Sequence, residues 1–190
     1  MHTKRFLSVA LLAPAFTLAL AASAAPNDDD DNFRARLKGL NEVPPVATEA
    51  SGSFSAKLSS DGSTLTYKVT YTNLSTPILF SHIHFGFPKE ATGIMVFLCG
   101  PASGQPGGPP AGTPNPPPCQ GTTSGTVTGS LTAANVIGPN AQGITPGADF
   151  VKVIEALRVG AGYVNVHTVR SVPGEIRGQV QHDDDHDDRD

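Results

Sequence analysis

The sequence predicts an all-β fold, an antiparallel β-sandwich with one short helix, and three observations predict it. Apolar and polar residues alternate with period two through most of the chain, as strands with one buried face require. Turn-forming Gly, Pro, Asn, Asp and Ser separate these stretches. Only one stretch carries apolar residues at helical spacing. Seven or eight strands with one helix suit a sandwich, and a closed barrel is the architectural alternative.

Taken in order, Phe33, Ala35 and Leu37 line one face of a first strand. Residues 53–58 carry Phe54, Ala56 and Leu58, and residues 64–72 carry Leu65, Tyr67, Val69 and Tyr71, with Asp61-Gly62 in the turn between them. That is the pattern of a hairpin. Residues 78–85 form a further strand, and residues 94–99 are an unbroken apolar run, which reads as a strand buried on both faces. Residues 125–131 have strand spacing but are rich in Gly and Thr, the composition of an edge strand. Residues 132–137 predict a short helical turn. In residues 148–158, Phe150, Val151, Ile154 and Leu157 recur at helical spacing, Asp149 stands near the start and Gly160 follows the end. Residues 163–168 and 175–180 read as a closing hairpin around Pro173-Gly174.

The ends of the chain read differently. Lys4 and Arg5, the apolar run of residues 6–20 and the small residues Ala22-Ser23-Ala24 describe a secretory signal peptide over residues 1–24. The expected organisation beyond it is an acidic disordered linker at 25–32, a folded domain at 33–181 and an acidic His/Asp disordered tail at 182–190. Loss of Lys4 and Arg5 takes the formal charge from -4 to -6, which argues against a nucleic-acid partner. No later stretch is long and apolar enough to span a membrane. The expected location is periplasmic or extracellular, with a partner there that no motif identifies.

Cys99 and Cys119 are the two cysteines. In an oxidising compartment they predict one disulfide closing a loop crowded with Gly and Pro.

The chemistry is concentrated in the histidines. Side chains alternate along a strand, so His82 and His84 share a face, roughly 6.5 Å apart along the chain. On residues 163–168, Tyr163, Asn165 and His167 share a face opposite Val164 and Val166. Pairing of the closing hairpin brings Asn165 and His167 opposite Glu175 and Arg177. Two readings of this polar set stay open. In one, His82, His84 and His167 are ligands of a copper or zinc ion, with Asn165, Glu175 and Arg177 around them. In the other, the same side chains form a hydrogen-bonded network between strands. Gly-x-Ser-x-Gly, His-Glu-x-x-His and phosphate-binding Gly-rich motifs do not occur, so hydrolase, protease and nucleotide-binding readings have no support.

Asn41-Glu42-Val43-Pro44-Pro45, His82-Ile83-His84-Phe85-Gly86, Tyr163-Val164-Asn165-Val166-His167-Thr168 and Pro173-Gly174-Glu175-Ile176-Arg177-Gly178-Gln179 together resemble the CHRD domain, the module named after chordin. The resemblance covers about residues 33–181. It departs at Phe87-Pro88-Lys89-Glu90-Ala91-Thr92-Gly93, where family members carry a Gly-rich turn, and in the length of the segment between the cysteines. It implies an exported binding or structural module with no transferable enzymatic activity. The expected sandwich is immunoglobulin-like in outline, and with His-x-His on one strand and a third histidine on another it is also similar in outline to the copper-zinc superoxide dismutases, whose further histidine ligands have no counterpart here. The competing expectation is a copper- or zinc-dependent metalloenzyme of redox type.

Overall fold

The computed structural model describes residues 31–183 of the chain; the predicted signal peptide and most of both acidic flanks lie outside them. Nine strands form one antiparallel sheet: β1 (Asn32–Lys38), β2 (Ser51–Leu58), β3 (Leu65–Thr72), β4 (Ile78–Phe85), β5 (Ile94–Cys99), β6 (Gly125–Leu131), β7 (Gly162–Thr168), β8 (Ile176–Gln179) and β9 (Gln181–His182). The spatial order is β5-β4-β7-β8-β1-β2-β3-β6, with β9 also paired to β1. One α-helix, α1 (Phe150–Arg158), precedes β7. The ordered strands include Asn32 at one end and His182 at the other.

This arrangement corrects the sandwich. Two separate sheets need a break in the ladder, but β8 continues onto β1 through Lys38 and Arg177, and β9 onto β1 through Phe33 and His182. The sheet instead curls until it nearly closes into a barrel. Tyr67 on β3 donates its hydroxyl to the carbonyl of Leu98 on β5 at 2.6 Å, across the interior. The chain leaving β6 returns to the other end strand, where Ile137 N–H donates to the Met95 carbonyl at 2.9 Å.

The alternation in the sequence decides what fills this barrel. Leu37, Phe54, Leu65 and Val69 come from one side and Ile83, Val96, Leu98, Val164, Val166 and Ile176 from the other, all buried in one cluster. α1 presents Phe150, Val153, Ile154 and Leu157 to the same core and leaves Val151 exposed. Arg158 at its end pairs with Asp31, which also meets His182 at 2.8 Å, so both ends of the domain are tied together. The residues of 132–137 include a single 3-10 turn, Ala133–Asn135, where a short helical turn is expected from sequence. No helix among the described residues is long and apolar enough to cross a membrane.

Candidate metal centre

β4 and β7 are adjacent, and their antiparallel register sets His82 opposite Asn165 and His84 opposite Tyr163. β8 continues the row, with Arg177 opposite Asn165 and Gln179 opposite Tyr163. Because Ile83, Val164 and Val166 occupy the barrel interior, the period of two sends His82, His84, Asn165, His167 and Arg177 to the outer face. Ligand atoms of His82, His84 and His167 lie within 4.8 Å of one another. The β4–β5 pairing shifts register on either side of His82 and Ile83, an irregularity of the kind that re-aims side chains beside sites.

This outer face is not open to solvent. His82, His84 and His167 are 3%, 8% and 6% exposed. Phe80, two residues before His82 and so on the same face, stacks on it with ring centroids 4.9 Å apart. Phe97 meets the same imidazole edge-on at 4.2 Å. The loop between the cysteines lies over Phe80. At Gly107 the backbone has φ 78, and a Cβ there would stand 3.2 Å from the Phe80 ring, so a side chain has neither the conformation nor much room. The predicted Cys99–Cys119 disulfide is present and closes this loop.

The segment 86–93 covers the other end of the row. Arg177 donates to the carbonyls of Glu90 at 2.5 Å and Phe87 at 3.2 Å. Its guanidinium lies 3.3 Å over the Tyr163 ring, which stacks in turn on His84 at 4.7 Å and 3°. The Tyr163 hydroxyl accepts from Thr92 N–H at 3.1 Å.

Hydrogen bonding fixes the tautomers. His84 Nδ1 lies 2.8 Å from the Thr92 carbonyl, and His167 Nδ1 lies 2.7 Å from the Val172 carbonyl. A carbonyl can only accept, so each Nδ1 carries the proton and each neutral ring presents a lone pair at Nε2. All three rings are held neutral. Burial pushes His82 well below 6.5, helped by His167 and His84; burial likewise lowers His84. His167 falls to about 4, because burial outweighs the Val172 hydrogen bond.

The donor atoms are incompletely satisfied by protein. Neither nitrogen of His82 has a hydrogen-bond partner, nor does His84 Nε2, and all are buried. Each such atom costs about 1–3 kcal/mol if left so. His167 Nε2 faces Asn165 Oδ1 at 2.8 Å, an acceptor opposite a lone pair. The pair is satisfied when the amide turns its NH2 toward the ring, so that its nitrogen donates to the Nε2 lone pair. Neutral imidazoles with backbone carbonyls on their far nitrogens are the donor set and outer support that zinc and copper take. A tetrahedral ion with bonds of about 2.0–2.1 Å needs nitrogens about 3.4 Å apart, so the rings close by less than about 1 Å each to bind one.

Of the residues singled out from sequence, His82, His84, His167 and Asn165 come together, and Arg177 joins them through Tyr163. Glu175 is not brought to the histidines. Fully buried, it accepts from Thr48, Ser75 and Thr168 at 2.8–2.9 Å. Burial raises its carboxyl, but these hydrogen bonds outweigh it and hold it below 4.5. The reading from sequence missed the cover: Phe80, Phe97 and the stacking role of Tyr163. Parity could have placed Phe80 and Tyr163, whereas the two carbonyl acceptors leave no trace in a sequence.

A family model described as CHRD domain matches residues 33–180. Comparison with curated proteins and with solved structures gave no match.

Proposed function

The chain belongs to the CHRD domain family, and on that premise we propose that it is an exported, non-enzymatic binding module holding one transition-metal ion, copper or zinc, on His82, His84 and His167. One observation carries the reading: His82 has two buried ring nitrogens without a partner, in a cluster whose other two imidazoles turn lone pairs toward the same space. A hydrogen-bonded network would leave His82 unsatisfied, and a metal ion takes its lone pair. Export is supported by the leader pattern in residues 1–24 and by the disulfide, which persists in oxidising compartments.

Burial favours holding a metal over turning over a substrate. Three imidazoles leave a coordination position open, but a redox enzyme must bring a substrate to it. Here the rings are at most 8% exposed beneath Phe80, Phe97 and two covering segments. The ion would tie β4 to β7 and secure the cover above them.

The test is metal content. Residues 25–190, and a chain ending at Asp183 that keeps β9 but drops the acidic tail, are dialysed against trace copper and zinc beside a His82→Ala/His84→Ala/His167→Ala variant shown to be folded. One equivalent of metal in both unsubstituted chains, absent from the variant, is the expected result. Equal metal in the shorter chain and the variant ends the proposal.

A further inference from the structure

The two segments that cover the histidines are held in different ways. The 86–93 segment is hydrogen-bonded to the site: Thr92 meets His84 through its carbonyl and Tyr163 through its N–H, and the carbonyls of Phe87 and Glu90 accept from Arg177. The segment between the cysteines is bonded mainly to itself. Gly104 N–H donates to the Pro109 carbonyl, Gly108 N–H to Gln105 and Gly100 N–H to Pro117, while Ser103 donates to Asn115 and Thr113. Among the described residues, no hydrogen bond joins residues 101–118 to a strand.

This lobe rests on the two rings that flank His82. Gly107 stands against Phe80, and Phe97 lines a narrow crevice with Pro109, Thr113, Pro114 and Pro116 of the lobe. Apolar packing is not directional, so by itself it holds such a lobe only loosely, and segments with few ties open locally. The covalent bond is what fixes the lobe. Cys99 is the last residue of β5, fully buried and paired with Ser81 of β4, beside Phe80. The disulfide therefore returns the far end of the lobe to the strand beside Phe80. Without it the next tie is a single hydrogen bond, from the Tyr71 hydroxyl to the Gln120 carbonyl. A crosslink of this kind removes the extended arrangements of the loop it closes.

Resting on the metal reading above, we propose that residues 100–118 are the gate through which an ion reaches His82, and that the Cys99–Cys119 disulfide holds the gate shut. The bond then sets the rate of metal exchange and leaves the affinity alone, because His82, His84 and His167 lie on β4 and β7 and opening the lobe removes no ligand. Uptake is accordingly fastest before the disulfide forms.

The test compares the mature protein, residues 25–190, with two variants shown to be folded. Cys99→Ser/Cys119→Ser removes the crosslink and leaves no thiol for copper to oxidise. Gly107→Val keeps the crosslink but pushes the lobe off Phe80, and it carries the test if the first variant does not fold. Release of one equivalent of copper(II) to excess EDTA is expected to be at least tenfold faster in both variants, with affinity unchanged within about threefold. In the metal-free proteins, acylation of His82 by diethyl pyrocarbonate, read by mass spectrometry, is expected to be at least tenfold faster in both. If none of the three proteins retains copper, the metal reading fails, and the acylation rates alone decide whether the lobe is a gate. Equal acylation of His82 in the folded variants and the unsubstituted protein, or copper release at an unchanged rate, overturns the proposal.

Discussion

β3 and β7 belong to one sheet and contribute to one core, yet they are buried differently. On β3, Leu65, Tyr67, Val69 and Tyr71 are buried, while Thr66 and Lys68 between them and Thr72 after them are exposed. On β7 every residue is buried, including Tyr163, Asn165 and His167 on the outer face. A barrel needs only the inner, apolar face. Covering a second, polar face requires extra chain and leaves donor atoms unsatisfied, which a fold under no other demand avoids. The segment 86–93, the disulfide-closed loop and the 169–174 turn all supply contacts to that second face. What they enclose is the site.

The inner face is most sensitive at Ile83, which is fully buried between two outward histidines. Ile83→Ala is expected to cost about 2–5 kcal/mol in denaturant unfolding, by the same amount with and without copper, because it opens a cavity in the core and removes no ligand. A loss confined to the copper-loaded protein would mean that the two faces are not independent.

Glu42, buried against Gly174, gives a pH test of comparable size. Its carboxyl titrates near 4.5 when unfolded and at about 7 when folded, so the folded chain keeps a proton that the unfolded chain releases. Its contribution to stability is therefore favourable at low pH and declines as pH rises from 4.5 to about 7. Glu42→Gln lacks this term. The stability of the variant relative to the unsubstituted protein should rise across that window by an amount on the order of 3 kcal/mol. Chemical denaturation at a series of pH values measures it, and a change of the opposite sign would place the carboxyl in a charge-stabilising environment.

The smallest effect is expected on the uncovered outer face. Lys68→Ala on β3 should shift stability by no more than about 0.5 kcal/mol, since the residue is exposed and packs against nothing that the fold requires. A larger loss would show that β3 also has a functional outer face.

The strands were legible because their periodicity is a direct consequence of one buried face. Residues 78–85 and 94–99 coincide with β4 and β5, and the helix over 148–158 is trimmed to Phe150–Arg158. Parity also put His82 and His84 on one face and Asn165 and His167 on another that proved to be its neighbour. Closure was not legible. Whether the sheet splits or curls depends on the junction of Lys38 with Arg177, and neither residue signals it. Nor was the place of Glu175. Strand parity points it at the histidines, but β8 begins only at Ile176, and the preceding turn delivers the carboxylate to Ser75, Thr168 and Thr48. The cover was hidden for a related reason: a loop of Gly and Pro shows no periodicity from which its packing on Phe80 can be inferred.

The most direct measurement is electron paramagnetic resonance of the chain ending at Asp183 with one equivalent of copper(II), the ion that nitrogen sites bind most tightly among divalent first-row metals. A metal centre on these histidines gives a single copper species with superhyperfine splitting from three imidazole nitrogens, reduced to two in His167→Ala. A spectrum of aqueous copper, or of a species unchanged in His167→Ala, would contradict the claim that His82, His84 and His167 form a metal centre.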